Sequence, residues 1–331
     1  MSQITFNQDG TINFGDYTLT FTDEGFEFDG NILASEFTQE YSFGGSTSGY
    51  AAGGFAPPYV NIIDKFPFST DANATDVGDL SQARRDGAGQ SSTTSGYTSG
   101  GRSPGYVDTI DKFPFGTDAN ATDVGDLTQT RDITSGQSSS ASGYTSGGYA
   151  PPNVNTIDKF PFSSDGNATD VGDLTQSRRG PAGQSSSESG YTSGGFTPTP
   201  SPVVTIDKFP FSSDINATDV GDLTQARWGP TGQSSESNGY ASGGRVQPSY
   251  TNTIDKFPFS SDANATDVGD LMQSRYRQAG QSSSASGYTS GGDDSPGEVN
   301  TIDKFPFSSD ANATDVGDLT QARYGAAGQQ V

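Results

Sequence analysis

The chain has 331 residues, a formal net charge of −23, 30% hydrophobic residues, 44 Gly, 18 Pro, and neither Cys nor His. The charge excludes nucleic acid as a partner, because a phosphate backbone needs a basic surface, and it argues against an anionic membrane face. Without Cys there are no disulfides, thiolate metal sites or thiol nucleophiles, and no stretch approaches the roughly 18 apolar residues of a membrane span.

Residues 1–45 come first and stand apart. QITFNQDGTINFG and DYTLTFTDEGFEFDG alternate around turn signals at Asp9-Gly10 and Glu24-Gly25, so two β-hairpins are expected. The start, MSQITFNQDG, has neither a basic n-region nor an apolar h-region, so no secretory signal is expected. This segment holds no Lys or Arg and none of the motifs that follow, which marks it as an attachment or oligomerisation module.

Residues 46–331 are six near-identical units. IDKFPF recurs with its Asp at Asp64, Asp111, Asp158, Asp207, Asp255 and Asp303, a period of about 48 residues. Low hydrophobic content raises the question of disorder, but the apolar residues recur at fixed places, and Tyr and Phe dominate them (14 and 21). A repeat array also buries each unit against its neighbours, so no unit needs a complete core. Helical periodicity is absent and Gly, Pro and β-branched residues punctuate every unit, which predicts four strands. In order they are GAGQSS (a), SGYTSGG (b), NTIDKFPF (c) and TDVGDL (d), with SSDANA as the turn between c and d. In strand c, alternation places Ile110, Lys112 and Pro114 on one side and Asp111, Phe113 and Phe115 on the other, a pattern for a strand packed on both faces.

The first unit begins at strand b (Ser46 to Gly54), and the last ends on a strand a (GAAGQQV) with no b after it. The ends match only if they meet, so the expected fold is all-β: a six-bladed β-propeller of four-stranded blades, closed by strand exchange between the termini and preceded by the small β-hairpin module. Closure also removes exposed sheet edges.

The order of Arg84, Tyr97, Gly100, Gly101, Ile110, Asp111 and Asp126-Leu127 resembles the kelch repeat, with Val124 or its neighbours where that repeat carries Trp. The resemblance spans residues 46–331 and implies a propeller. The wording IDKFPFSSDANATDVGDLT is also similar to repeats in structural proteins of marine phages, especially those of cyanobacteria, which implies a virion component assembled in the host cytoplasm. Neither resemblance reaches residues 1–45.

Three sets of residues are candidates for chemistry. Asp71, Asn73, Thr75 and Asp79 place oxygens at positions 1, 3, 5 and 9, similar to calcium loops, although Thr stands at position 5 and Asp76 at position 6. The competing reading is a c-to-d turn, in which Asp and Asn bond their own backbone. A weak calcium site is thus the single cofactor the sequence leaves open. One Lys per unit (Lys65, Lys112, Lys159, Lys208, Lys256, Lys304) and one Arg after strand d (Arg84, Arg131, Arg178, Arg227, Arg275, Arg323) read either as a cationic ring for an acidic glycan or, preferably, as blade-to-blade ion pairs. Aromatics that vary between units, Tyr149, Phe196, Trp228, Tyr276 and Tyr324, are the candidates for ligand binding, whereas Phe66, Phe68 and their copies read as inter-blade core.

No His or Cys supplies a base, nucleophile or metal ligand, and six equivalent carboxylate pairs read as structural, so no enzyme activity is expected. The function expected is that of a non-enzymatic phage virion structural protein of tail, fibre or capsid surface, docked to other virion proteins through residues 1–45 and touching a host-surface glycan. The alternative is a carbohydrate-binding adhesin of viral or bacterial origin.

Overall fold

In a computed structural model of the chain, residues 44–331 are described except Pro200, together with the backbone of five strands before them. The chain divides into two compact units, Met1–Tyr41 and Ser42–Val331.

The first unit is one antiparallel meander of β1 (Ile4–Phe6), β2 (Thr11–Phe14), β3 (Tyr17–Thr22), β4 (Gly25–Phe28) and β5 (Asn31–Ala34). The two expected hairpins are the pairs β1–β2 and β3–β4, with Phe6 opposite Ile12 and Thr22 opposite Gly25. Pairing of Phe14 with Tyr17 and of Phe28 with Asn31 joins them to each other and to β5 in a single sheet. The turn residues Asp9, Gly10 and Glu24 lie outside the described residues.

The second unit is a six-bladed β-propeller: six four-stranded antiparallel blades ring a common axis, and there is no helix among the described residues. In blade 2 the strands, from the axis outward, are a (Ala88–Ser91), b (Ser95–Ser103), c (Gly105–Pro114) and d (Thr122–Asp126). Blades 3 to 6 repeat this order over residues 135–173, 182–222, 231–270 and 279–318. Blade 1 takes strands b, c and d from Ser48–Phe55, Tyr59–Pro67 and Thr75–Asp79 and its strand a from the C-terminus, Ala327–Gln330. Ala327 pairs with Ala52 and Gln330 with Gly49, which is the strand exchange expected from the unit count. Gly45, read from sequence as the end of the first module, instead bridges Ser283 of blade 6 in the second.

Packing explains the repeated words. Strand c is buried on both faces. Ile110 joins Tyr97 and Leu127 of its own blade against Phe160 of blade 3, while Phe113 and Phe115 join Tyr50, Ile63 and Leu80 of blade 1. The Tyr of each Gly-Tyr pair therefore crosses to the next blade, where Tyr97 stacks on Phe162 at 4.9 Å. The Gly beside it lies under its own blade's Phe: a Cβ on Gly96 would stand 2.3 Å from the Phe113 ring. The sixth interface, Tyr288 of blade 6 on Phe66 and Phe68 of blade 1, uses the same geometry and closes the ring. Such aromatic contacts add about 0.5–1.5 kcal/mol each beyond the area they bury.

Polar groups follow the same blade-to-blade logic. The Gln of each strand a is buried and donates to the backbone of the next blade, from Gln90 to Tyr144 O at 2.9 Å and from Gln281 to Tyr50 O at 2.8 Å across the closure. Nearer the axis, the strand-a glycines form a ring in which a Cβ on Gly89, Gly136, Gly183, Gly232, Gly280 or Gly328 would meet the preceding glycine's carbonyl oxygen at 2.0–2.3 Å.

Candidate functional site

The recurrent cations are part of the scaffold. Each Lys of strand c reaches an Asp in the c–d turn of the next blade, from Lys65–Asp118 through Lys304–Asp71, at 2.5–3.2 Å. Each Arg after strand d is fully buried and pairs with the IDKFPF Asp of the next blade at 2.9–3.2 Å, as in Arg178–Asp207 and, across the closure, Arg323–Asp64. Burial pushes these guanidinium groups below their usual range and the facing Asp opposes the shift. Each Arg also donates to a strand-b carbonyl, for example Arg178 to Thr192 O at 2.9 Å. The Asp completes a three-way tie by accepting from the second residue after strand d of the preceding blade, as Asp207 does from the Thr175 amide and hydroxyl at 3.0 and 2.7 Å.

The calcium-like residues are distributed among different partners. Asp71 pairs with Lys304, Asn73 Oδ1 accepts the Asp318 amide of blade 6 at 3.1 Å, Thr75 lies opposite Lys65 in the sheet, and the Asp79 amide donates to Asn120 of blade 2 at 3.1 Å. Among the described residues no group of three or more His, Cys, Asp or Glu is placed to hold a metal.

The departures from the repeat gather elsewhere. Strands a and b are antiparallel, as are c and d, so the d-to-a connections and the b-to-c segments emerge at the same end of every blade. These two stretches carry the largest changes between units, RRDG, RDIT, RRGP, RWGP, RYRQ and RYGA in the first and FAPPYVN, RSPGYVD or FTPTPSPVV in the second. Smaller changes, such as Ile215 for Ala and Glu188 for Thr, Ser or Ala, fall in the turns at the other end.

At this end the backbone closes a circle around the axis. The amides of Asp86, Ile133, Gly180, Gly229, Arg277 and Gly325 each donate to the carbonyl of the preceding member at 2.7–2.9 Å. All six residues have φ between +52° and +68°. Three are Gly, for which this is permitted, while Asp86, Ile133 and Arg277 hold it at a cost of about 1–2 kcal/mol each. The glycines leave room that neighbours fill: a Cβ on Gly180 would touch Trp228 at 3.3 Å, and one on Gly229 would touch Tyr276 at 3.0 Å. Below the circle, the inner strands surround a cavity of about 150 Å³.

Just outside the circle, the residue after each buried Arg bridges the residue after Gly-Gly of the next blade. The six pairs are Tyr324–Phe55, Arg85–Arg102, Asp132–Tyr149, Arg179–Phe196, Trp228–Arg245 and Tyr276–Asp293. All five aromatics singled out from sequence, Tyr149, Phe196, Trp228, Tyr276 and Tyr324, therefore belong to one rim. Some touch directly, Trp228 and Tyr276 with ring centres 5.3 Å apart and Phe196 and Trp228 at 6.0 Å. The structure adds Phe55, Tyr59, Tyr106 and Tyr250 to the same face.

Sequence reasoning missed the cations of this rim. Of 17 Lys and Arg, 12 are the interface residues above, which leaves Arg85, Arg102, Arg179, Arg245 and Arg277. All five are here, each over an aromatic ring: Arg85 over Phe55 and Tyr324, Arg102 over Tyr106, Arg179 over Tyr149 and Phe196, Arg245 over Tyr250, and Arg277 over Trp228, with centres 4.9–5.8 Å away. The available signal was that these arginines do not recur.

Charges are unevenly satisfied. Arg85 and Arg277 share Asp86, each at 3.4 Å, and Arg85 also bonds the Tyr324 hydroxyl. Arg102, Arg179 and Arg245 form no ion pair among the described residues; Arg102 donates to Pro104 O at 3.2 Å. Burial first, and then the Asp86 carboxylate, pushes the Asp132 carboxyl up to about 6 against the opposing pull of Arg277, Arg102 and Arg85. Asp132 Oδ1 and Trp228 Nε1 are buried without a hydrogen-bond partner. A groove of about 260 Å³ opens between blades 5 and 6, lined by Arg245, Pro248, Tyr250, Ser274, Asp294 and Ser295. Such a face offers flat apolar rings and planar donors, which suits recognition of a ligand. No family model matches this chain, and no curated protein matches it.

Proposed function

We propose that the protein is a non-enzymatic structural component of a virus particle whose propeller presents a recognition face, with residues 1–45 joining it to other virion proteins. The observation that carries the recognition reading is the division of the repeat. What packing needs is the same in all six units, while the large substitutions, the aromatics Tyr149, Phe196, Trp228, Tyr276 and Tyr324 among them, are concentrated at one end. A scaffold alone has no use for that asymmetry. The virion reading draws on the likeness of IDKFPFSSDANATDVGDLT to phage structural repeats. The absence of His and Cys, with six equivalent carboxylate pairs, supports a role without catalysis. The aromatic rim also favours a second reading, a carbohydrate-binding adhesin, which uses the same face but needs no particle.

Antibodies against the blade 4 segment 196–204 test the proposal. They are expected to label intact particles and to block adsorption to cells. Labelling only after particles are disrupted would overturn the presented recognition face, and no labelling at all would overturn the virion reading.

A further inference from the structure

The rim is chemically narrower than a general recognition surface. Twelve of the 17 cations are consumed at blade interfaces, and the remaining five stand together on the face where the repeat varies most. In a chain of net charge −23 this is the one place where cations free of scaffold duty collect. Three of them, Arg102, Arg179 and Arg245, hold no carboxylate among the described residues. Each is instead laid against a ring, Tyr106, Tyr149 with Phe196, and Tyr250. Stacking fixes the guanidinium plane; Nε is spent on Pro104 O in Arg102 and buried in Arg179 and Arg245, so the terminal Nη donors are the ones that meet a planar or tetrahedral anion.

We propose that this face binds an acidic polysaccharide, with Arg102, Arg179 and Arg245 pairing its carboxylate or sulfate groups and Tyr106, Tyr149, Phe196 and Tyr250 covering the apolar faces of its sugars. The inference rests on the recognition reading above and names its ligand class. The groove beside Arg245 and Tyr250 gives the chain a place to run off the rim. Acid residues of blade 6, Asp293, Asp294 and Glu298, border the face.

The test is binding of the full chain to alginate, sulfated dextran, neutral dextran and single-stranded DNA, at low and high salt. Alginate or sulfated dextran is expected to bind, neutral dextran to bind weakly or not at all, and salt to weaken the acidic ligands. A chain carrying Arg102→Gln, Arg179→Gln and Arg245→Gln is expected to bind at least about tenfold more weakly, with unchanged melting, because none of the three holds an ion pair. Lys112→Gln, which removes the same charge at a blade interface, is expected to leave binding as it was. Tight, salt-independent binding of neutral dextran that Trp228→Ala abolishes would overturn the acidic ligand while leaving the recognition face intact. Acidic binding that the triple variant does not weaken, stronger binding of DNA than of alginate, or no binding to any probe would each overturn the proposal.

Discussion

A glycine in each inner strand sets how closely the six blades approach the axis. Its role is steric: a Cβ at Gly136 would stand 2.1 Å from the carbonyl oxygen of Gly89, a backbone atom that has no side-chain freedom with which to retreat. Gly136→Ala is therefore expected to cost about 3 kcal/mol in denaturant unfolding, whereas Gly166→Ala, whose Cβ would meet nothing within 4 Å, is expected to cost little. Equal stabilities for the two variants would contradict the steric argument. Asp132 is a second residue with a sharp expectation. Its carboxyl titrates at about 6 in the folded chain and near 4 in the unfolded one, so the folded state holds its proton over that window. Stability from this group is present below about pH 4, is lost as pH rises to about 6, and stays lost above it. The groups facing it are Asp86, Arg277, Arg102 and Arg85. Asp132→Asn is expected to gain about 2–3 kcal/mol near pH 8, with the gain shrinking through the window and vanishing below it. A gain independent of pH would show that the carboxyl is not the cause.

At the scale of strands, closure depends on the last few residues. Gln329 pairs with Tyr50 within blade 1 and donates to Tyr97 O and Thr98 Oγ1 of blade 2 at 2.9 and 3.0 Å, and Val331 exchanges backbone bonds with Thr47 and Ser48. Removing Gln329–Val331 is expected to lower the melting temperature by on the order of 10 °C, since it unties the last strand from its partner in blade 1 and from blade 2 at once. An unchanged melting curve would contradict closure by strand exchange. The strands of the ring were legible in the sequence because IDKFPF alternates between two buried faces and because the unit count left one b strand without an a. β5 was not: Asn-Ile-Leu-Ala lacks the polar alternation that marked the hairpins before it. The circle of positive φ was equally hidden, since Asp86, Ile133 and Arg277 carry no common turn signature and only the neighbouring blades' hydrogen bonds hold them there. The rim arginines were missed for the opposite reason to the scaffold ones. Arg178 and its copies announced themselves by recurring, whereas Arg102 and Arg245 follow Gly-Gly in only two of the six units.

The whole molecule combines a nearly sixfold scaffold with one end that breaks the symmetry. The scaffold repeats a single interface: a buried Arg–Asp pair with its backbone ties, a surface Lys–Asp pair, a buried Gln and a Tyr on two Phe rings. Among these, the exposed Lys pairs contribute little, on the order of 0–1 kcal/mol each. Breaking a buried Arg–Asp pair would cost about 3–5 kcal/mol, because an uncompensated charge remains inside. Symmetry is broken most around the mouth of the axis, where the rim residues differ from blade to blade. The most direct test replaces the rim residues by Thr, at 85, 132, 179, 228, 276 and 324 after the buried arginines and at 55, 102, 149, 196, 245 and 293 after the glycine pairs. Melting and alginate binding are then measured on the same full-length chain. The expected result is a folded ring, melting within about 10 °C of the parent, that no longer binds. A ring that fails to fold would make the rim part of the scaffold, and a folded ring that binds as before would place recognition elsewhere; either would contradict the account.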